Sequence, residues 1–397
     1  MVLLLQKFLA NVTKKDHNNK YDMTIAFFTN FINHHQVPLA DELYKLTQGN
    51  YFFVVTQPIP ESFKRSGYPD FSDKPYLVKA YENHEKAIQI ARNADVALFD
   101  GHEPFKYEIE RLKYNRLSFE VSERWFKKGC LNLLSPRLIK SQFYYHLFFY
   151  NKPLYKLCSG AFVKQDNSRM LSFINRCYKW GYFPIFEDLD IDKVLSNKKD
   201  NKIKILWCAR FINWKHPELA VKLASVLKKK GYYFEINMYG NGILYEKINK
   251  LINLLEVADV VNLKGNVPNH EIRKQMQTHN IFLFTSDKNE GWGAVANEAM
   301  ANGCVLVGSH NIGSIPYLIE NGKNGCVFKS NDLQSLTENI EHLFNNRNLI
   351  DTYAKNAYNT IKEIWSPNNA AKNLIQLISD LEKNQKTSIT VGPCSKA

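Results

Sequence analysis

Long hydrophobic runs are missing from this chain of 397 residues. A bilayer-spanning helix needs about 20 consecutive apolar residues. The segment Val2-Leu-Leu-Leu-Gln-Lys-Phe-Leu-Ala10 is apolar but short, and it has neither a basic leader nor a clear cleavage site. Residues 1–22 therefore read as an appendage, with the fold beginning at Met23. Paired cysteines are missing as well. The seven, at 130, 158, 177, 208, 304, 326 and 394, are dispersed and odd in number, and none has Cys-x-x-Cys spacing. That excludes a disulfide framework or a zinc ribbon and fits a reduced, cytoplasmic protein. There is no recognised nucleic-acid-binding motif and no internal repeat. Acidic residues are scarce in one region. Between Arg111 and Trp180, 3 Asp/Glu stand against 14 Lys/Arg, within a chain of net charge +13.

What is present is a hydrophobic content of 45% with ample aromatics, which excludes a disordered chain. The length suggests two domains. Apolar strands alternate with helical patterns in both halves, so each half reads as a doubly wound α/β unit. In the first, strands are expected at Thr24–Phe28, Tyr51–Val55, Val96–Phe99 and Leu154–Phe162. Trp180-Gly-Tyr-Phe-Pro-Ile-Phe-Glu-Asp188 looks like a linker. In the second, strands are expected at Ile203–Cys208, Phe234–Tyr239, Val260–Leu263, Ile281–Thr285, Val305–Val307 and Cys326–Phe328. The expected division is a first Rossmann-like domain at 23–184, a second at 185–363, a helix at 364–382 that could cross back, and a disordered polar tail at 383–397. The fold class is α/β, with two Rossmann-like domains facing across a cleft. Ligands bind such sheets at the carboxyl ends of the strands.

The strand-end loops of the second half carry the chemistry. Arg210 follows a strand and Lys215 stands just before a helix that Pro217 starts, an arrangement suited to a diphosphate. The run Asp287-Lys-Asn-Glu-Gly-Trp-Gly-Ala-Val-Ala-Asn-Glu-Ala-Met-Ala-Asn-Gly303 lies between two strands. Its glycines at 291 and 293 let the backbone approach a ligand. Amides of Gly293, Ala294 and Val295 point toward phosphate. Glu290 precedes the helix and Glu298 lies inside it. The loop around Val267 can meet a base edge through its backbone.

This order of motifs, over roughly residues 203–330, resembles the family-4 retaining glycosyltransferases of GT-B fold, also called group 1. The spaced cations appear as Arg210 and Lys215, although Ala209 and His216 stand where the family has glycines. The Glu-x7-Glu signature appears as Glu290 and Glu298, followed by Ala299-Met-Ala-Asn-Gly303. The resemblance implies that Arg210 and Lys215 neutralise a departing nucleotide diphosphate. It implies that Glu298 anchors the ribose, that Glu290 orients the donor sugar, and that Val267 touches the base. It implies a nucleotide-sugar substrate, UDP-linked first among donors, with no cofactor and no metal.

The first half should supply a group near the anomeric carbon. The resemblance implies a histidine after the fourth strand, so His102 is the first choice, with His34 or His35 as the alternative; Glu123-Arg124-Trp125, and Arg124 within it, is a candidate for the acceptor side. Basic and aromatic residues between 111 and 180 fit an anionic membrane surface at the inner face of the cell membrane and a saccharide or lipid-linked saccharide acceptor. No nucleic-acid partner is expected. The competing readings are a GT-B nucleotide-sugar epimerase and a basic nucleic-acid-binding protein.

Overall fold

Strands made of unbroken apolar residues must be covered on both faces, and crossover helices do that in parallel sheets. Ile25-Ala-Phe-Phe-Thr29 is buried at every position, as is Ile281-Phe-Leu-Phe284. The computed structural model describes residues 23–61, 69–127 and 129–397, so the appendage expected at 1–22 lies outside the described residues. The first sheet comprises β1 (Ile25–Thr29), β2 (Tyr51–Val55), β3 (Leu77–Lys79), β4 (Val96–Asp100), β5 (Ser118–Ser122), β6 (Leu154–Ser159) and β7 (Cys177–Trp180). Its order is β3-β2-β1-β4-β5-β6-β7, and every pairing is parallel. Helices α1 (Val37–Leu46), α2 (His84–Asn93), α3 (Phe105–Leu112), α4 (Pro136–Leu147) and α5 (Val163–Arg169) cover it.

After the extended stretch 181–190 and α6 (Ile191–Ser196) comes the second sheet. It comprises β8 (Ile203–Cys208), β9 (Phe234–Tyr239), β10 (Val261–Gly265), β11 (Ile281–Phe284), β12 (Val305–Ser309) and β13 (Gly325–Phe328). Its order is β10-β9-β8-β11-β12-β13, again parallel. Its helices are α7 (Pro217–Lys229), α8 (Tyr245–Leu254), α9 (Asn269–Met276), α10 (Val295–Ala301), α11 (Ile315–Leu318), α12 (Leu333–Asn345) and α13 (Arg347–Asn359). Each sheet reverses strand order once, between β1 and β4 and between β8 and β11, and crevices open at such points.

Three first-domain strands are absent from the sequence reading: β3, β5 and β7. In β5, Glu120 interrupts the apolar run. Its carboxylate pairs with Lys156 on the neighbouring β6, and Lys156 is itself fully buried. Arg111 is buried too, donating to the carbonyls of Ala91, Ala94, Asp95 and Leu117. Two cations of the basic stretch therefore serve the core and not the surface.

After one π-helical turn, Thr360–Trp365, the last helix α14 (Pro367–Glu382) returns to the first domain. Asn368 donates to Glu42 on α1 at 2.6 Å, and Leu374 and Ile378 join Leu39 and Leu43 in one core. The tail at 383–397, expected to be disordered, is instead bound along β7. Lys179 N–H donates to Ser395 at 2.8 Å, Cys394 N–H donates to Lys179 at 2.8 Å, and Cys394 is fully buried. The outer edge of β7 presents unpaired backbone groups that the tail satisfies, which its polar composition hid. Deleting residues 388–397 is expected to lower the thermal midpoint and to give concentration-dependent association on size exclusion. An unchanged midpoint would show that the edge does not need its cover.

Candidate active site

The second-domain loops converge beside α10. Trp207 Nε1 donates to Thr285 Oγ1 at 2.8 Å, and Thr285 donates to the Lys215 carbonyl at 2.6 Å, which ties β8, β11 and the cationic loop together. Lys215 lies 4.3 Å from the Trp214 ring centroid and pairs with the Glu290 carboxylate. Glu290 also accepts from Ser286 at 3.0 Å. Arg210 is exposed, 5.9 Å from the same tryptophan ring, with no carboxylate partner among the described residues. His216 stands where the resemblance has glycine, and it adopts the left-handed conformation at φ 49°. Few residues other than glycine adopt that conformation, histidine being one of those that do so more often. Hydrogen bonds to Glu218 (2.9 Å) and Asp287 (3.2 Å) hold it there, and the first of these raises its pKa most.

Helix α10 begins at Val295, which puts Glu298 in its first turn. Gly293 and Ala294 belong to the loop that leads into it. Glu298 is buried and accepts from Asn269 on α9 at 2.9 Å. Val267 sits half-buried in the loop before α9, next to the same core.

From the first domain, His34 and His35 reach this place. Their ring nitrogens and a Glu298 oxygen all lie within 4.8 Å of one another. Burial lowers the His34 pKa to about 4, with Arg273 adding to the effect, and pushes His35 well below its usual value. Both are neutral at pH 7. The spacing would suit a cation, and the Arg273 charge acts on His34 and on Glu298 alike. His102 is 48% exposed beside Glu103 at 3.4 Å, and among the described residues no hydrogen bond or ion pair links it to the donor loop. Arg124 turns away to Asp166 at 3.7 Å and stacks on Phe162.

Sequence reasoning passed over Asn269, Arg273 and Tyr182. It also passed over the Asp-x-Asp spacing at Asp188-Leu-Asp190-Ile-Asp192. Those carboxylates are engaged in the linker: Asp188 with Tyr358 and Lys362, Asp190 as the cap of α6, and Asp192 with Lys355.

The domains meet through glycines. A side chain at Gly160 would strike the Gly291 carbonyl, and one at Gly181 would strike the Trp292 ring. Ala161 N–H donates to Gly313 at 2.9 Å across the seam.

Two parallel sheets of this topology, with their strand-end loops facing each other, make a GT-B fold. A structure of Anabaena Alr3699/HepE in complex with UDP is similar at TM-score 0.67 and 14% identity, over 91% of this chain and 100% of that one. The lipopolysaccharide-biosynthesis glycosyltransferase WaaG is similar at TM-score 0.60 and 15% identity, over 88% and 98%. Residues 190–360 match the family "Glycosyl transferases group 1", so the second domain is a group 1 glycosyl transferase domain. The poly(glycerol-phosphate) alpha-glucosyltransferase of Bacillus subtilis is 26% identical over 245 residues, 60% of this chain and 36% of the relative. The putative colanic acid biosynthesis glycosyltransferase WcaL of Salmonella typhimurium is 29% identical over 143 residues, 35% of each chain. The matched stretch thus spans about a third of these relatives' own length.

Burial pushes the Glu298 carboxyl up to about 6 from 4.5, against the opposing effects of Asn269 and Arg273. A raised folded-state pKa contributes stability that is full below 4.5 and lost as pH rises through 6. Glu298→Gln is therefore expected to be more stable than wild type above pH 6, by about 2 kcal/mol, with the gap closing below pH 4.5. Thermal melts across that range measure it.

Proposed function

We propose that the chain is a retaining glycosyltransferase that moves a sugar from a nucleotide diphosphate, a UDP-sugar first among donors, to a lipid-linked or polysaccharide acceptor in surface-glycan synthesis. The observation that carries this reading is the pairing of Lys215 with Glu290 at the β8/β11 switch point, with Arg210 beside Trp214 in the same cationic loop and Glu298 buried in the first turn of α10. The roles follow from charge and reach. As the bond from the anomeric carbon to phosphate breaks, Arg210 and Lys215 take up the charge on the departing diphosphate, helped by amides of residues 293–295. Glu298 accepts from the ribose hydroxyls. Glu290 shares Lys215 with the phosphates and accepts from the sugar. Two fixed cations and backbone amides supply the charge stabilisation, so the proposed transfer needs no metal and no cofactor. A relative named for α-glucosyl transfer supports retention, because nucleotide-glucose donors are themselves α-linked.

The acceptor side has a matching surface. On the turn Gly129–Leu134 and on α4, Leu131 (71%), Leu134 (76%), Ile139, Phe143 and Leu147 are exposed, interleaved with exposed Arg137 and Lys140. A basic face with apolar residues on one helix suits the interface of an anionic bilayer. Among the described residues no helix is long and apolar enough to cross a membrane. Peripheral attachment at the cytoplasmic face of the cell membrane is the location this supports.

Glu298→Ala is expected to weaken UDP binding by roughly tenfold or more in calorimetry; unchanged affinity would overturn the ribose assignment. Phe143→Ser with Leu147→Ser is expected to abolish co-flotation with vesicles containing anionic lipid at low salt. Failure of the wild-type protein to float would overturn the membrane face.

A further inference from the structure

Glu123 stands immediately past the end of β5, at the carboxyl end of the first sheet, and faces the other domain. A single carbon added to Gly291 would collide with its carboxylate. Glu123 thus touches the donor loop at the residue between Glu290 and Trp292. Two donors fix it. Tyr182 Oη donates to Oε1 at 2.8 Å, and Lys127 pairs with Oε2. Tyr182 is held in turn, 6.4 Å from the Trp292 ring centroid and parallel to His35 at 6.2 Å. The Glu123 side chain keeps 26% of its surface open, so it is neither sealed in the core nor free in solvent. Glu290, the residue before Gly291, has the same kinds of partner, with Lys215 as its cation and Ser286 as its neutral donor. Two acceptor-only groups, each paired with a lysine and a hydroxyl, therefore flank Gly291, one from each domain.

Ionised carboxylates accept two hydrogen bonds at defined angles, and adjacent sugar hydroxyls donate with that geometry. Resting on the nucleotide-sugar reading above, we propose that Glu123 is a donor-sugar-binding residue, which accepts hydrogen bonds from hydroxyls of the transferred sugar and sets donor specificity together with Glu290. Tyr182 is its positioning residue. The first-domain group sought among the histidines is then an acid. Its contact runs to the sugar and not to the nucleotide, which separates its effects from those of Glu298. Because Glu123 and Glu290 come from different domains, the sugar is read only where the glycine seam is closed.

The test compares dissociation constants of UDP, UDP-glucose and UDP-N-acetylglucosamine for wild type, Glu123→Gln and Tyr182→Phe. Wild type is expected to bind one of the two sugar nucleotides more tightly than UDP. Glu123→Gln is expected to bind UDP as wild type does and to lose that sugar increment, about tenfold. Tyr182→Phe is expected to lose part of it, with UDP affinity again unchanged. An increment that survives in both variants, or a UDP affinity that falls in parallel with it, overturns the proposal. Wild type that binds no UDP overturns the reading beneath it, and the proposal falls with it. Tyr182→Phe removes a hydroxyl only, so it decides the matter if Glu123→Gln does not fold.

Discussion

The site depends on a steric condition: the two domains touch backbone to backbone. Gly160, Gly291 and Gly313 meet with no side chain between them, and Gly181 lies against the buried Trp292 ring. Any larger residue would hold the strand ends apart by the width of its side chain. With that spacing lost, His34 and His35 would not reach Glu298, and Glu123 would not reach the donor loop. Trp292 fills the space the glycines leave. Its indole N–H donates to Asn297 at 2.9 Å, and its ring packs against Tyr182, Tyr317 and Trp365. The last of these comes from the π-helical turn before α14, so the helix that returns to the first domain also braces the seam.

Close approach forces charges out of water, and the structure matches them individually. Lys215 meets Glu290, Lys127 meets Glu123, and Lys156 meets Glu120. Glu298 is matched less completely. It has a neutral amide at hydrogen-bond distance and Arg273 acting on it through space, and it retains a raised pKa. Asp100, at the end of β4, is similar: burial and then the Glu123 charge push it up to about 7. Carboxylates left short of donors are costly to the free fold, and they are the groups with most to gain from a hydroxyl-bearing ligand.

The second domain was largely legible in the sequence because apolar residues recur at least at every second position of its strands, with no buried ion pair breaking them. Ile203–Cys208 and Phe234–Tyr239 fall where the runs place them. The first domain was harder to read because buried ion pairs break its hydrophobic pattern. Glu120 in β5 and Arg111 in α3 look like surface residues until their partners are seen. The tail was misread for a related reason, since backbone pairing at a sheet edge needs no apolar side chains. At the site, Glu290, Glu298, Arg210 and Lys215 were visible as a spaced motif. Asn269, Arg273 and Tyr182 were not, because they act through contacts between segments far apart in sequence. The left-handed turn at position 216 explains why a glycine would serve there and how His216 substitutes for it: two carboxylates hold the ring that a glycine would not need.

The glycine seam also constrains how the proposed membrane face relates to the chemistry. Leu131 lies eight residues beyond Glu123. Between them Phe126 N–H is fixed to Asp166 at 3.0 Å, and Lys127 is paired with Glu123 itself. The apolar turn and α4 are therefore anchored to the same short segment that places a carboxylate on the donor loop. Under the proposed function, a lipid-linked acceptor on that face would approach the donor loop along the segment that holds Glu123 against Gly291.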